Sequence, residues 1–319
     1  MKENIIKKVF ENRLLFSILT LVIFVIVSGI IEPNYFDLKH IFTVVQQSAP
    51  LIIVTIGQIF VMLTKGIDLS VGSIVIFTDV FAASLIMGEN ERTLYGIVLS
   101  LLVGALFGTI NGLGVEFLKL PPLVMTLASS IGIQGVMLLY CGGFPRGGAS
   151  KFLKFIGSGR WGIVPVSISF WLTALIIAYW ILKKTKFGWT LYFIGANRKA
   201  ARLVGIKCRL SGVFAYTFSG LFAALAGVVI LGYVGIPSLV LGDDYTLASI
   251  ASGVLGGVSL SGGSGSVLGA FSGGLLMRFI LTLLTAFNIS AAGKNIVQGA
   301  IIFTMVAILT LQERKGGSS

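Results

Sequence analysis

The chain has 319 residues, of which 55% are hydrophobic and 11% charged, and its mean hydropathy is +0.98. A soluble domain carries about 25% charged residues, so the composition excludes a soluble globular protein and predicts an all-α, polytopic membrane helix bundle. Lys and Arg number 24 against 12 Asp and Glu, a formal charge of +12; because these basic residues sit in loops and ends, the positive-inside bias and anionic lipid headgroups account for them without nucleic acid.

Apolar runs long enough to span a bilayer, about 20 residues each, follow one another along the chain. Lys2, Lys7, Lys8 and Arg13 precede the first, 14–31. It is long for a signal h-region and has no small-residue cleavage site, so it reads as a first span with a cytoplasmic N-terminus. The second run is 44–63, with Pro50 as a candidate kink. The third, fourth and fifth are 70–87, 94–115 and 123–140. An outer loop, 141–161, precedes the sixth at 162–182. The polar stretch 183–210 interrupts the pattern. Beyond it lie runs at 212–233, 246–258, 267–287 and 296–311. About ten spans return the C-terminus to the cytoplasm, and 1–319 reads as a single transmembrane domain.

Lys183, Lys184, Lys186, Arg198, Lys199, Arg202, Lys207 and Arg209 fall in 183–210, with no Asp or Glu. That charge places the loop in the cytoplasm. Within it Asn197 can N-cap a helix, Arg198, Lys199, Ala200, Ala201, Arg202, Leu203 and Val204 can make two turns, and Gly205 can end it. A short capped helix with an apolar edge at Leu203 and Val204 suits presentation to a partner. A solvated basic loop that only marks topology fits the same residues.

Cys141 and Cys208 are the only cysteines and fall on opposite sides of this topology, so no disulfide or cysteine metal site is expected. His40 is the only histidine, which rules out a two-histidine metal site within one chain. No phosphate-binding G-x-x-x-x-G-K-[ST], zinc H-E-x-x-H or nucleophile G-x-S-x-G pattern occurs. The chain is therefore read as no enzyme and as needing no cofactor. If a nucleotide drives it, another subunit hydrolyses it. The segment 261–266 is read as a flexible glycine-serine turn.

Gly66-Ile-Asp-Leu-Ser-Val-Gly-Ser73 is the most distinctive short stretch. Asp68 or Ser70 can N-cap the helix that follows, and a helix N-terminus aimed into a pathway offers free N–H donors to a polar solute. A plain cytoplasmic turn fits equally. Asp68→Ala is expected to impair transport more than folding. Asp79 and Arg278 fall inside spans, where ionisable groups usually face a bundle interior or a water-filled path, and they could pair with each other. Asn111, Thr126 and Gln134, with Gln46, Gln47, Gln58, Ser129 and Ser130, add uncharged hydrogen-bonding groups. These suit a neutral hydroxyl-rich solute and serve equally as helix–helix glue. Asp68, Ser70, Asp79, Asn111, Thr126 and Gln134 are the candidate pathway residues. Glycines four apart, Gly104, Gly108 and Gly112, and again Gly265, Gly269 and Gly273, predict two close helix contacts.

These residues resemble the membrane permease subunits of bacterial ATP-binding-cassette importers for monosaccharides of the ribose, xylose and galactose type. The matching stretches are Glu32-Pro-Asn-Tyr-Phe, the Gly66 to Ser73 octapeptide, Asn111-Gly with Pro121-Pro-Leu-Val-Met-Thr-Leu, 188–206, and Val254-Leu-Gly-Gly-Val-Ser-Leu-Ser-Gly-Gly263. They run in family order from end to end. The resemblance implies an inner-membrane permease paired with a second copy or a paralogue. It also implies cytoplasmic ATP-binding subunits and an extracytoplasmic sugar-binding protein that docks on outer loops such as 141–161 and 234–245. It makes the segment around Asn197 to Gly205 the coupling helix that sits in a groove of the ATPase. Gln134, Asp79 and 278–285 depart from the family pattern, which leaves open a nucleoside, an autoinducer sugar or an amino acid as cargo. An ion-coupled secondary transporter, with Asp79 and Arg278 as coupling groups, and a non-transporting scaffold are the readings from other classes.

Overall fold

In a bilayer every backbone N–H and C=O must be paired within the chain, and this sequence meets that demand with helices. A computed structural model describes residues 13–316; the basic residues Lys2, Lys7 and Lys8 lie outside them. Among the described residues thirteen α-helices follow in order. The first is α1 (Arg13–Ile31), and a 3₁₀ turn (Pro33–Phe36) leads to α2 (Leu38–Leu63), α3 (Val71–Ile86), α4 (Thr93–Glu116) and α5 (Pro122–Cys141). Then come α6 (Lys151–Ser158), a two-stranded hairpin (Arg160–Trp161 with Val164–Pro165), α7 (Ser167–Lys184), α8 (Lys186–Ala196) and α9 (Arg198–Leu203). The chain ends with α10 (Cys208–Val234), α11 (Asp243–Leu255), α12 (Val267–Ala286) and α13 (Ala291–Gly316). Six of these, α2, α4, α5, α7, α10 and α12, are long and apolar enough to cross a membrane by length and composition. Residues 15–30 and 71–86 form shorter apolar helices.

The interior is built around α2 and α10, which pack on each other and are mostly buried. By contrast α4, α5 and α7 turn most of their apolar side chains outward, among them Leu94, Leu102, Leu139 and Ile176. That distribution is natural where the solvent is itself apolar, because lipid gives no hydrophobic reason to bury leucine. Pro50 does not break α2, and Asp37 caps its start by accepting from the Lys39 amide at 3.0 Å.

The first glycine ladder packs α4 on α10. A Cβ on Gly104 would strike the Gly220 carbonyl, one on Gly108 the Tyr216 carbonyl, and one on Gly112 the Val213 backbone. The second ladder is one step shorter than its spacing predicts. Gly269 and Gly273 press on the backbones of Ser252 in α11 and Gly256 just past its end, whereas Gly265 precedes α12 and holds φ +149°. Overpacking of this kind costs about 1–3 kcal/mol. Gly108→Ala is therefore expected to lower the thermal unfolding midpoint of the purified protein, and an unchanged midpoint would mean that the two backbones do not touch.

Several boundaries move: the helices expected from 44 and 296 begin at Leu38 and Ala291. Gly162 turns the hairpin at φ +64°, so the helix expected from 162 begins at Ser167. The stretch 141–161, expected as an outer loop, holds α6, capped by Ser150 and seated through Leu153, Ile156 and Gly157. The turn at 261–266 is pinned rather than loose. The Gly263 amide donates to the Leu63 carbonyl at 3.0 Å, and the Tyr192 hydroxyl donates to the Gly265 carbonyl at 3.0 Å.

Candidate functional site

Between α2 and α3 the chain leaves the helix for seven residues, and a buried carboxylate organises that linker. Asp68 is 0% exposed. Its Oδ1 accepts from the Ser70 amide at 3.0 Å and the Ser70 hydroxyl at 2.6 Å, and its Oδ2 accepts from the Ser219 hydroxyl of α10 at 2.8 Å. Asn111 of α4 donates to Ser70 Oγ at 2.8 Å. Gln58 of α2, with its carboxamide turned to match donors and acceptors, donates to the Asp68 carbonyl at 3.2 Å and accepts from the Asp68 amide at 3.1 Å. Thr126 of α5 accepts from the Leu69 amide at 3.0 Å. Four helices thus grip one short linker. Burial raises the Asp68 carboxyl above its ordinary range, and the hydrogen bonds from Ser70 and Ser219 oppose that rise.

The expected N-cap is absent at Ser70. Its backbone is helical, at φ −85° and ψ −9°, and its hydroxyl serves Asp68 and Asn111 instead of an α3 amide. Asp68 accepts from the amide two residues on, the Asx-turn pattern. Gln134 joins the same region through Ser73, at 3.2 Å, and Ser73 in turn meets Ser130 at 2.6 Å.

Asp79 stands apart. It is buried on α3, where one oxygen accepts from the Ser238 amide at 2.8 Å and the other has no partner. It does not pair with Arg278. That guanidinium donates to Gln47 of α2 at 2.6 Å.

At the far end of α2 and α4, the basic stretch folds into two helices. Thr185 caps α8 through the Gly188 amide at 3.2 Å. Asn197 caps α9 by accepting from the Ala200 amide at 3.0 Å, and Gly205 ends it in the left-handed region at φ +84°. One side of α9 is fastened. Ala201 packs with Ile194 and Cys208, and Arg198 forms an ion pair with Glu116, the last residue of α4, whose side chain is buried. The other side is bare: Leu203 is 89% exposed and Val204 76%. A cavity of about 560 Å³ beside this helix is bordered by Lys65, Lys119, Arg202 and Arg209. Glu116 escaped the sequence reading, although it is the one acid at a helix end that meets a loop devoid of acids. Ser219 escaped it too, being one small hydroxyl within an apolar run.

Residues 40–306 match the family described as the permease component of branched-chain amino acid transport systems. The chain is similar to the ribose import permease protein of Haemophilus influenzae, at 32% identity over 297 residues, covering 92% of this chain and 91% of the relative. It is 30% identical to the ribose import permease protein of Escherichia coli K12 over 298 residues, 92% of each chain. It is 36% identical to the autoinducer 2 import system permease protein of Yersinia pestis strain Pestoides F over 300 residues, 92% of this chain and 82% of the relative. No solved structure matches the chain.

Proposed function

We propose, from the premise that this multi-pass membrane protein belongs to the family of transport permease components, that it imports a monosaccharide or related polyol through the inner membrane as one subunit of an ATP-binding-cassette machine. Relatives named for ribose and autoinducer 2 import support that cargo. The uncharged hydrogen-bonding groups around the linker, Asn111 and Gln134 among them, suit a neutral solute. ATP hydrolysis belongs to a cytoplasmic partner. A binding protein delivers the solute outside, and a second permease copy or a paralogue completes the path. In this reading about ten spans leave both termini in the cytoplasm.

The observation that carries the reading is the construction of α9. A cytoplasmic ATPase would take hold of Leu203 and Val204, which no described residue covers. Any push on α9 passes to α4 through Arg198 and Glu116, and to α10 through the apolar cluster of Ala201, Ile194 and Cys208. Because α4 and α10 touch backbone to backbone, they would move together. Asp68 and its partners sit where α2, α4, α5 and α10 meet, so that movement would reach Ser70, Asn111, Thr126 and Gln134. Asp79 would serve the same path near its outer end, through the Ser238 loop.

The test is uptake into vesicles that hold the permease, with the ATPase inside and the binding protein outside. Uptake of radiolabelled D-ribose or another neutral monosaccharide should require ATP and both partners. Uptake driven by a proton or sodium gradient alone would overturn the reading. Competition by leucine, but by no sugar, would move the cargo to an amino acid.

A further inference from the structure

At the opposite ends of α2 and α10 from the coupling helix lies a cavity of about 760 Å³, walled by α2, α10, α11, α12, α13 and the 3₁₀ turn. Its size falls within the range of about 300–1,000 Å³ typical of small-molecule sites. Four buried polar atoms on residues of its wall have no hydrogen-bond partner among the described residues: Tyr35 Oη, His40 Nε2, Arg278 Nε and Gln298 Oε1. Tyr35 is 2% exposed and Gln298 1%. The four come from four different elements, so no single local distortion explains them. Buried polar side chains are normally satisfied, and here the described residues do not satisfy their own.

The identities of these atoms restrict what can do so. Arg278 Nε can only donate and Gln298 Oε1 can only accept, while a tyrosine hydroxyl does both. A bare metal ion offers nothing to the arginine. An inorganic anion without a proton offers nothing to the glutamine. An alcohol hydroxyl donates and accepts. The charges on the wall also cancel, Arg278 and Lys294 against Glu32 and Asp244, so neither sign of ion is favoured. Tyr233 and Tyr245 add amphipathic rings.

We infer that this cavity is a binding subsite for a neutral polyhydroxylated solute of monosaccharide size, contained within a single permease chain on the side where the solute enters. The inference rests on the importer reading above and gives it a location: the solute is held by one subunit before it passes between two.

The experiment uses full-length permease in lipid nanodiscs without ATPase or binding protein. D-Ribose, D-xylose and D-galactose are tested by saturation-transfer NMR and calorimetry, with D-ribose 5-phosphate as the anionic control. At least one neutral sugar should bind saturably, with at least tenfold weaker affinity for Gln298→Leu and for Tyr35→Phe, and the phosphate should not compete. Absence of saturable binding by all three sugars would overturn the inference and leave water as the occupant. Undiminished affinity in both variants, or equal binding of the phosphate, would also overturn it. Tyr35→Phe removes one oxygen and carries the test alone if Gln298→Leu fails to fold. Uptake by the complete importer separates the two readings. ATP-dependent uptake with a wild-type KM in both variants removes the cavity site and keeps the importer, whereas absence of ATP-dependent sugar uptake removes the importer reading itself.

Discussion

Arg198→Glu should leave an importer whose ATPase still turns over but whose solute uptake falls at least tenfold. The substitution sets a second carboxylate against buried Glu116 at the joint between α9 and α4. Breaking a pair with one buried member costs more than the ~1 kcal/mol of an exposed pair and approaches the ~3–5 kcal/mol of a buried one. That is enough to detach α9 from α4 without unfolding a bundle held by α2 and α10. Glu116→Gln should give a milder form of the same defect, because the amide keeps the shape and loses the charge. The double swap Glu116→Arg with Arg198→Glu should recover a measurable part of the coupling. Hydrolysis and uptake measured side by side in vesicles decide it: tight coupling in Arg198→Glu would show that α9 does not act through α4. Arg202→Glu, which reverses a charge beside the cavity and leaves the Glu116 pair intact, separates loss of partner affinity from loss of transmission.

How far this joint was legible in the sequence follows from distance along the chain. Asn197, Gly205 and the two turns between them follow rules of a few residues' reach, and the observed cap and φ agree with them. The apolar runs likewise mark their own helices to within a few residues. The Arg198–Glu116 pair joins positions 82 apart, and only the packing of α4 on α10 brings them together. The glycine ladder at Gly104, Gly108 and Gly112 announced that some helix would come close to α4, because small residues four apart have one steric purpose in a membrane. It could not name α10. Buried serines are the hardest to see: Ser219 looks like any small residue of an apolar helix until Asp68 is found against it. Helices such as α6 and α8 are hidden for a different reason. Both are short, and α6 is amphipathic, and they lie inside stretches whose charge and glycine content read as loop.

Asp68→Ala should cost folding stability as well as transport, against the expectation from its place in a glycine-flanked turn. The carboxylate accepts from the Ser70 amide, the Ser70 hydroxyl and the Ser219 hydroxyl, on a residue that is 0% exposed. Truncation strands those donors, and each stranded buried group costs about 1–3 kcal/mol. Part of that is recovered where the serines can turn to backbone carbonyls, so a net loss of about 2–4 kcal/mol follows from the same scale. The purified variant should show a clearly lower thermal midpoint and a low yield of monodisperse protein. Asp68→Asn separates the two roles, because it keeps one acceptor oxygen and the side-chain shape while removing the charge. If the linker is only a packing joint, Asn should restore most of the midpoint and most of the uptake together. If the carboxylate also takes part in the switch between outward and inward states, the midpoint should recover and ATP-driven uptake should stay low. A variant with Ala at 68 that melts and transports like the wild type would show that the linker is held by Gln58, Asn111 and Thr126 alone, and that the carboxylate is dispensable to both.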